Sequence, residues 1–122
     1  MGRLFNASDG FDEDTCLSMY DSNYDFYKLV LNTFLEDAKR ALQGIKETYD
    51  ACDIENYRIL VHGLKGAGGS AGASKLVDLA TRSNALIKEG DWDQASQLHE
   101  PIIAELERLI RLIPERIDAH NG

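Results

Sequence analysis

The residues most capable of chemistry lie in one stretch, His62-Gly63-Leu64-Lys65-Gly66-Ala67-Gly68-Gly69-Ser70-Ala71-Gly72. A neutral imidazole is a nucleophile. A lysine three residues on lies one turn away on the same helical face, where its ammonium reaches a group attached to the ring. That ammonium disfavours the imidazolium form and offsets the charge of an attached phosphoryl dianion. At about 100° per residue, Glu55, Arg58, Lys65, Gly66, Gly69 and Ala73 fall within about 60° of His62. Ile54, Tyr57, Leu60, Val61, Leu64, Ala67 and Ala71 take the rest of the circle, so His62 is expected to point outward while the apolar face packs.

Gly63, Gly66, Gly68 and Gly69 sit inside this helix. Each costs roughly 0.8–1 kcal/mol relative to alanine, a large sum against a typical margin of about 5–15 kcal/mol. Gly68 is on the inner face, where a glycine lets a neighbouring helix approach. Gly66 and Gly69 flank His62, where side chains would block the imidazole, so something large is expected to come within bonding distance of the ring. The combination suits a protein that carries phosphate on histidine.

The elements that hold this stretch follow from apolar spacing. Leu and Ala total 27 residues against 7 for Val and Thr, which favours helix over strand. A short helix is expected over about 12–20, then a turn and N-cap at Asp21-Ser22-Asn23. Tyr27, Leu31, Phe34, Ala38, Ala41, Leu42, Ile45 and Tyr49 alternate in steps of three and four, marking a long amphipathic helix. Asp53 is an N-cap for the His62 helix, which ends near Gly72, and Ser74 is expected to cap a helix running to Glu89. Gly90 reads as the residue after that helix, and Asp91 with Gln94 as a capping box for the last one. Pro101 predicts a kink near 97–101 or two abutting helices, and Pro114 a stop. The fold class expected is all-α, an up-down-up-down antiparallel four-helix bundle with a short extra N-terminal helix. The bundle should occupy 12–117, between loose tails at 1–11 and 118–122.

Composition narrows the function. The 122 residues carry 13 Lys+Arg against 21 Asp+Glu, a net charge of −8, which argues against nucleic-acid binding. No apolar run exceeds three residues, so no membrane insertion is expected, and the acidic first fifteen residues lack a secretory signal. Cys16 and Cys52 read as reduced thiols of a cytoplasmic protein; with three scattered histidines they make no zinc pattern. No metal site is expected: Asp12, Glu13 and Asp14 read as a solvated face. His99 and His120 read as bland and Trp92 as a core anchor. Gly66-x-Gly68-x-x-Ala71 imitates a dinucleotide fingerprint, but no second strand follows, and no Gly-Lys-Ser/Thr makes a P-loop.

His62, Leu64, Lys65 and Gly66, followed by Gly72-Ala73 ten and eleven residues after the histidine, resemble the histidine-containing phosphotransfer (HPt) domain. The resemblance covers about residues 12–112, including the Tyr/Phe-rich helix before the motif and the Gly90-Asp91 turn after it. It implies a four-helix bundle that shuttles phosphoryl between receiver-domain aspartates in a phosphorelay. His62 would be the acceptor through its outer ring nitrogen, and Lys65 would neutralise the phosphoryl group. Asn84, where the family more often has Glu or Gln, would be a phosphoryl contact. Arg58, Ile59, Gly66, Gly69 and Ala73 would form the docking surface. The partners implied are response-regulator receiver domains and a sensor histidine kinase. The chain itself would need no cofactor, Mg²⁺ being expected in the receiver. Nothing demands more than a monomer, and no kinase activity of its own is expected. The alternative is a docking or adaptor module that binds a receiver without being phosphorylated.

Overall fold

The computed structural model describes residues 2–122. Six helices follow a 3-10 turn at Ala7–Asp9: α1 Glu13–Met19, α2 Tyr24–Asp50, α3 Ile54–Ala71, α4 Ser74–Lys88, α5 Trp92–Ser96 and α6 His99–Asn121. The four long helices pack in a closed ring, α2 on α3, α3 on α4, α4 on α6 and α6 back on α2. This is the expected antiparallel bundle, with α1 as the extra N-terminal helix. The apolar stripes meet at its centre, where Tyr27, Leu31, Tyr57, Val61, Leu76, Ile102, Leu106 and Leu109 are fully buried.

Helix boundaries follow local chemistry. Asn23, Asp53 and Asp91 each accept a hydrogen bond from the backbone N–H three residues on, as N-caps should. The fourth helix is two abutting pieces, α5 and α6, as Pro101 requires. Ser74 does not cap α4: Ala73 is the N-cap residue, and the Ser74 hydroxyl donates to Gly10 O at 3.1 Å.

Further expectations need correction. Of the expected N-terminal tail, Met1 lies outside the described residues, but Leu4 and Phe5 are buried in the core. The Glu13 carboxylate accepts from both of their amides at 2.9 Å and from the Tyr24 hydroxyl at 2.7 Å. Glu13 is therefore an internal brace and not part of a solvated face. Phe5 stacks on Phe11 at 3.7 Å, and Asp9 pairs with Arg116 at 3.3 Å. Pro114 does not end the last helix. α6 continues through it to Asn121, because Ile117 carries the buried stripe a further turn and that burial outweighs the lost backbone hydrogen bond.

His99 is also not bland. It is buried, its ring stacks on Tyr49 at 3.7 Å, and its Nδ1 is 3.0 Å from the Tyr57 hydroxyl, tying α6 to α2 and α3. Burial pushes its pKa below the usual histidine value, against the raising influence of Glu100 and Asp50. The unfolded chain therefore takes up a proton near pH 6.5 while the folded one does not. Stability from this site should be fully present above about pH 6.5 and be lost as pH falls towards the depressed folded value. Urea denaturation at pH 7.5 and 5.5 should show the loss. His99→Phe should flatten this part of the profile, and an equal slope in both proteins would refute the assignment.

Candidate functional site on helix α3

α3 tolerates its glycines because both ends are pinned. Asp53 caps its N-terminus. At the other end the Tyr20 hydroxyl donates to Ser70 O and the Tyr27 hydroxyl to Ala71 O, each at 2.7 Å. These carbonyls would otherwise lack helical partners. Gly72 closes the helix at φ +77°, and Ala73 N–H returns to Gly68 O at 2.9 Å. Burial raises the Tyr27 pKa far above the usual phenol range, so this donor stays protonated.

The glycines divide into two groups. A Cβ on Gly68 would meet Val77 at 3.0 Å, and one on Gly72 would meet the Cys16 thiol at 2.7 Å. The positive φ and this contact require glycine at position 72, and at position 68 a methyl would press on Val77. A Cβ on Gly63, Gly66 or Gly69 would meet nothing within 4 Å. Packing gives no reason for those three, so their cost to helix propensity points to something outside the chain.

His62 and Lys65 are exposed on this open face. Neither takes part in a side-chain hydrogen bond or ion pair among the described residues. Arg58 is half-buried and pairs with Glu55 at 3.7 Å, and Ile59 is 51% exposed although apolar. Ala73 does not belong here: it is completely buried. It falls on the wheel near His62 only if the helix continues, and Gly72 has already turned the chain away. Asn84 is buried on α4, and its Oδ1 has no hydrogen-bond partner. Gly68 opposes Val77 across the antiparallel α3–α4 pair. The same register carried toward the middle of α3 brings His62 level with Ser83 and Asn84. Asn84 Oδ1 and Ser83 Oγ are both buried without a hydrogen-bond partner at this level of α4.

The two sides of the histidine differ. Toward α2, Ile59, Gly63 and Ala67 line a groove of about 280 Å³. It adjoins a second groove of about 330 Å³ containing Phe26, Leu29 and Ala67. Leu29 is 62% exposed and Phe26 46%. On the wheel, Arg58 and Lys65 lie on the other side of His62, toward α4. So the α2 flank sets exposed apolar residues beside the Asp37–Arg40 ion pair, and the other flank carries Lys65 and the Glu55-paired Arg58. Sequence reasoning missed the α2 contribution, although Phe26 and Leu29 lie off the inward stripe of that helix and so should have been noticed as unexplained apolar residues. No group of His, Cys, Asp or Glu among the described residues could hold a metal ion.

An outward histidine on a bundle helix, cleared on one face by glycines that packing does not need, is the design of a phosphoryl carrier. The model of the Hpt domain family matches residues 29–113, most of the chain, and the protein belongs to that family of histidine phosphotransfer domains, which act in phosphorelays. In fold it is similar to histidine-containing phosphotransfer protein B (HptB) from Pseudomonas aeruginosa PAO1. The TM-score to that crystal structure is 0.77 at 24% identity, covering 93% of this chain and 98% of that one. No curated protein sequence matches significantly. No described helix is long and apolar enough to cross a membrane.

Proposed function

We propose that His62 is the phospho-acceptor and that the chain relays phosphoryl between a sensor histidine kinase or one receiver domain and a second receiver. The observation that carries this reading is the open surface over Gly63, Gly66 and Gly69 around an exposed imidazole. A receiver docks its active-site face on α3. The Nε2 lone pair of His62 attacks the phosphorus of the receiver's aspartyl phosphate in line. The N–P bond forms as the bond from phosphorus to the carboxylate oxygen breaks, and the aspartate leaves as a carboxylate. The ring keeps its other proton on Nδ1. The reverse sequence delivers the phosphoryl group to the next aspartate. Mg²⁺ belongs to the acidic site of the receiver, and this chain contributes no metal ligand. One exposed histidine per chain suffices, so the chain works as a monomer, and we place it in the cytoplasm with its partners.

Lys65 offsets the phosphoryl charge from one turn away. Lys65→Ala should slow transfer or shorten the lifetime of the phosphohistidine by roughly tenfold, less than a buried donor would contribute because the ammonium stays solvated. A change below twofold in both would remove Lys65 from the site. Asn84 contacts the histidine or its phosphoryl group from α4. Ile59, Gly66, Gly69 and Arg58 meet the receiver. Incubation with a phosphorylated receiver and Mg²⁺ tests the whole reading: the label must be acid-labile and dependent on His62. A receiver that binds without labelling the chain would make it a docking module.

A further inference from the structure

A cleft on the α4 side of α3 is not explained by phosphoryl transfer itself. It holds about 390 Å³, between α1, the last turns of α3 and the first half of α4. Cys16 and Met19 form one wall, Val77 and Thr81 the other, and glycines of α3 the floor. Met19 is 57% exposed at its mouth, while Cys16 is buried. The volume suits one large apolar side chain with room to spare. Asp12 and Asp78 stand on opposite walls. Asp12 accepts from the Thr15 N–H at 3.3 Å as the N-cap of α1, and Asp78 is 68% exposed and pairs with Arg82 at 3.5 Å.

The floor connects this cleft to the histidine. Gly69 lines it and also lies on the His62 face, seven residues or about 10 Å along the helix. Gly72 is needed for the chain reversal and Gly68 packs closely on Val77, but a Cβ on Gly69 would touch nothing. Any larger residue there would stand at the junction between cleft and docking face. A body lying over His62 therefore reaches the cleft without a gap, and the aspartates on its rim favour a positive charge next to the inserted group.

We propose that this cleft is a second anchor for the receiver domain, accepting an apolar side chain that has a basic neighbour. The inference rests on the reading of His62 as the transfer centre. It adds a specificity determinant beyond the reach of the phosphoryl group: receivers that present such a pair of residues are preferred.

The test uses the purified receiver that exchanges phosphoryl with the full chain fastest in a panel. Thr81→Trp fills the cleft from an exposed position, and Asp78→Lys reverses a rim charge. Each should raise the receiver concentration for half-maximal transfer at least tenfold, leave the plateau rate within about twofold, and preserve the helical spectrum. Backbone amide shifts of Gly69, Val77 and Thr81 should move when unphosphorylated receiver is added to the wild type. Half-saturation within twofold of wild type for both variants would overturn the anchor while leaving the His62 reading intact. Binding that the cleft variants weaken, without any His62 label, would retain the anchor and overturn the carrier reading. A panel in which no receiver binds would overturn both.

Discussion

His62→Gln should abolish the acid-labile phosphoryl label while leaving the bundle as stable as the wild type. Glutamine keeps a polar side chain of similar reach but offers no nucleophilic ring nitrogen, so the N–P bond cannot form. The fold should not notice the change, because His62 is exposed and makes no side-chain hydrogen bond or ion pair among the described residues. The thermal midpoint should therefore stay within about 2 °C, the shift expected for a surface change of well under 1 kcal/mol. The two readouts together are decisive. Loss of label with an unchanged midpoint assigns His62 as the acceptor. Label retained on the variant would move the acceptor elsewhere, and the remaining histidines offer little: His99 is buried and His120 stacks near Tyr24 at the far end of α6.

Gly66→Leu should separate function from stability in the opposite direction from most mutations. No neighbour lies within 4 Å of a Cβ at this position, so the side chain enters open space. Leucine is a far better helix former than glycine, and the variant should be stabilised by roughly 0.5–1 kcal/mol. Transfer should nevertheless fall roughly a hundredfold, since even a displacement of about 1 Å from the productive geometry can cost that much. The direction of helical side chains makes position 66 especially obstructive. They lean toward the helix N-terminus and cover the preceding turn, which here carries His62. Gly66→Ala should gain similar stability with a smaller loss of rate. A more stable Gly66→Leu protein that transfers at the wild-type rate would show that nothing large needs this surface. Gly68→Leu is the contrasting case: it should destabilise, because its Cβ already meets Val77 at 3.0 Å.

These contrasts extend a division of the glycines that the helical wheel already makes. In the sequence, Gly68 falls on the inner face and Gly66 and Gly69 beside His62, with Gly63 unassigned. The structure separates two that serve packing and chain reversal from three that leave a surface bare. Ala73 shows the limit of the wheel. It shares an angle with His62 only on an uninterrupted helix, and the left-handed Gly72 ends that helix first. The wheel treats every residue as part of one rod, and the capping geometry that breaks the rod depends on contacts with Asp12 and Cys16 far away in the chain.

The bundle was legible from local pattern because amphipathic period, caps and breakers act over neighbouring residues. The three-four spacing from Tyr27 to Tyr49, the caps at Asn23, Asp53 and Asp91, and the break before Pro101 all appear as expected. His62 with Lys65 on an outward face was legible for the same reason: two residues three apart on one helix share a side whatever the rest of the chain does. The remaining features needed partners distant in sequence. Leu4 and Phe5 are core residues only because Glu13 and Tyr24 stand ready to receive them. His99 is a buried tie only because Tyr49 and Tyr57 arrive from two other helices. Pro114 is tolerated because Ile117 finds a buried place beyond it. The grooves on either side of α3 belong to pairs of helices and exist in neither alone. Helix identity and the outward histidine are thus written in residues within a turn or two of each other. Burial, the buried unpaired amide of Asn84 and the shape of the docking face depend on which surfaces meet, and only the packed bundle decides that.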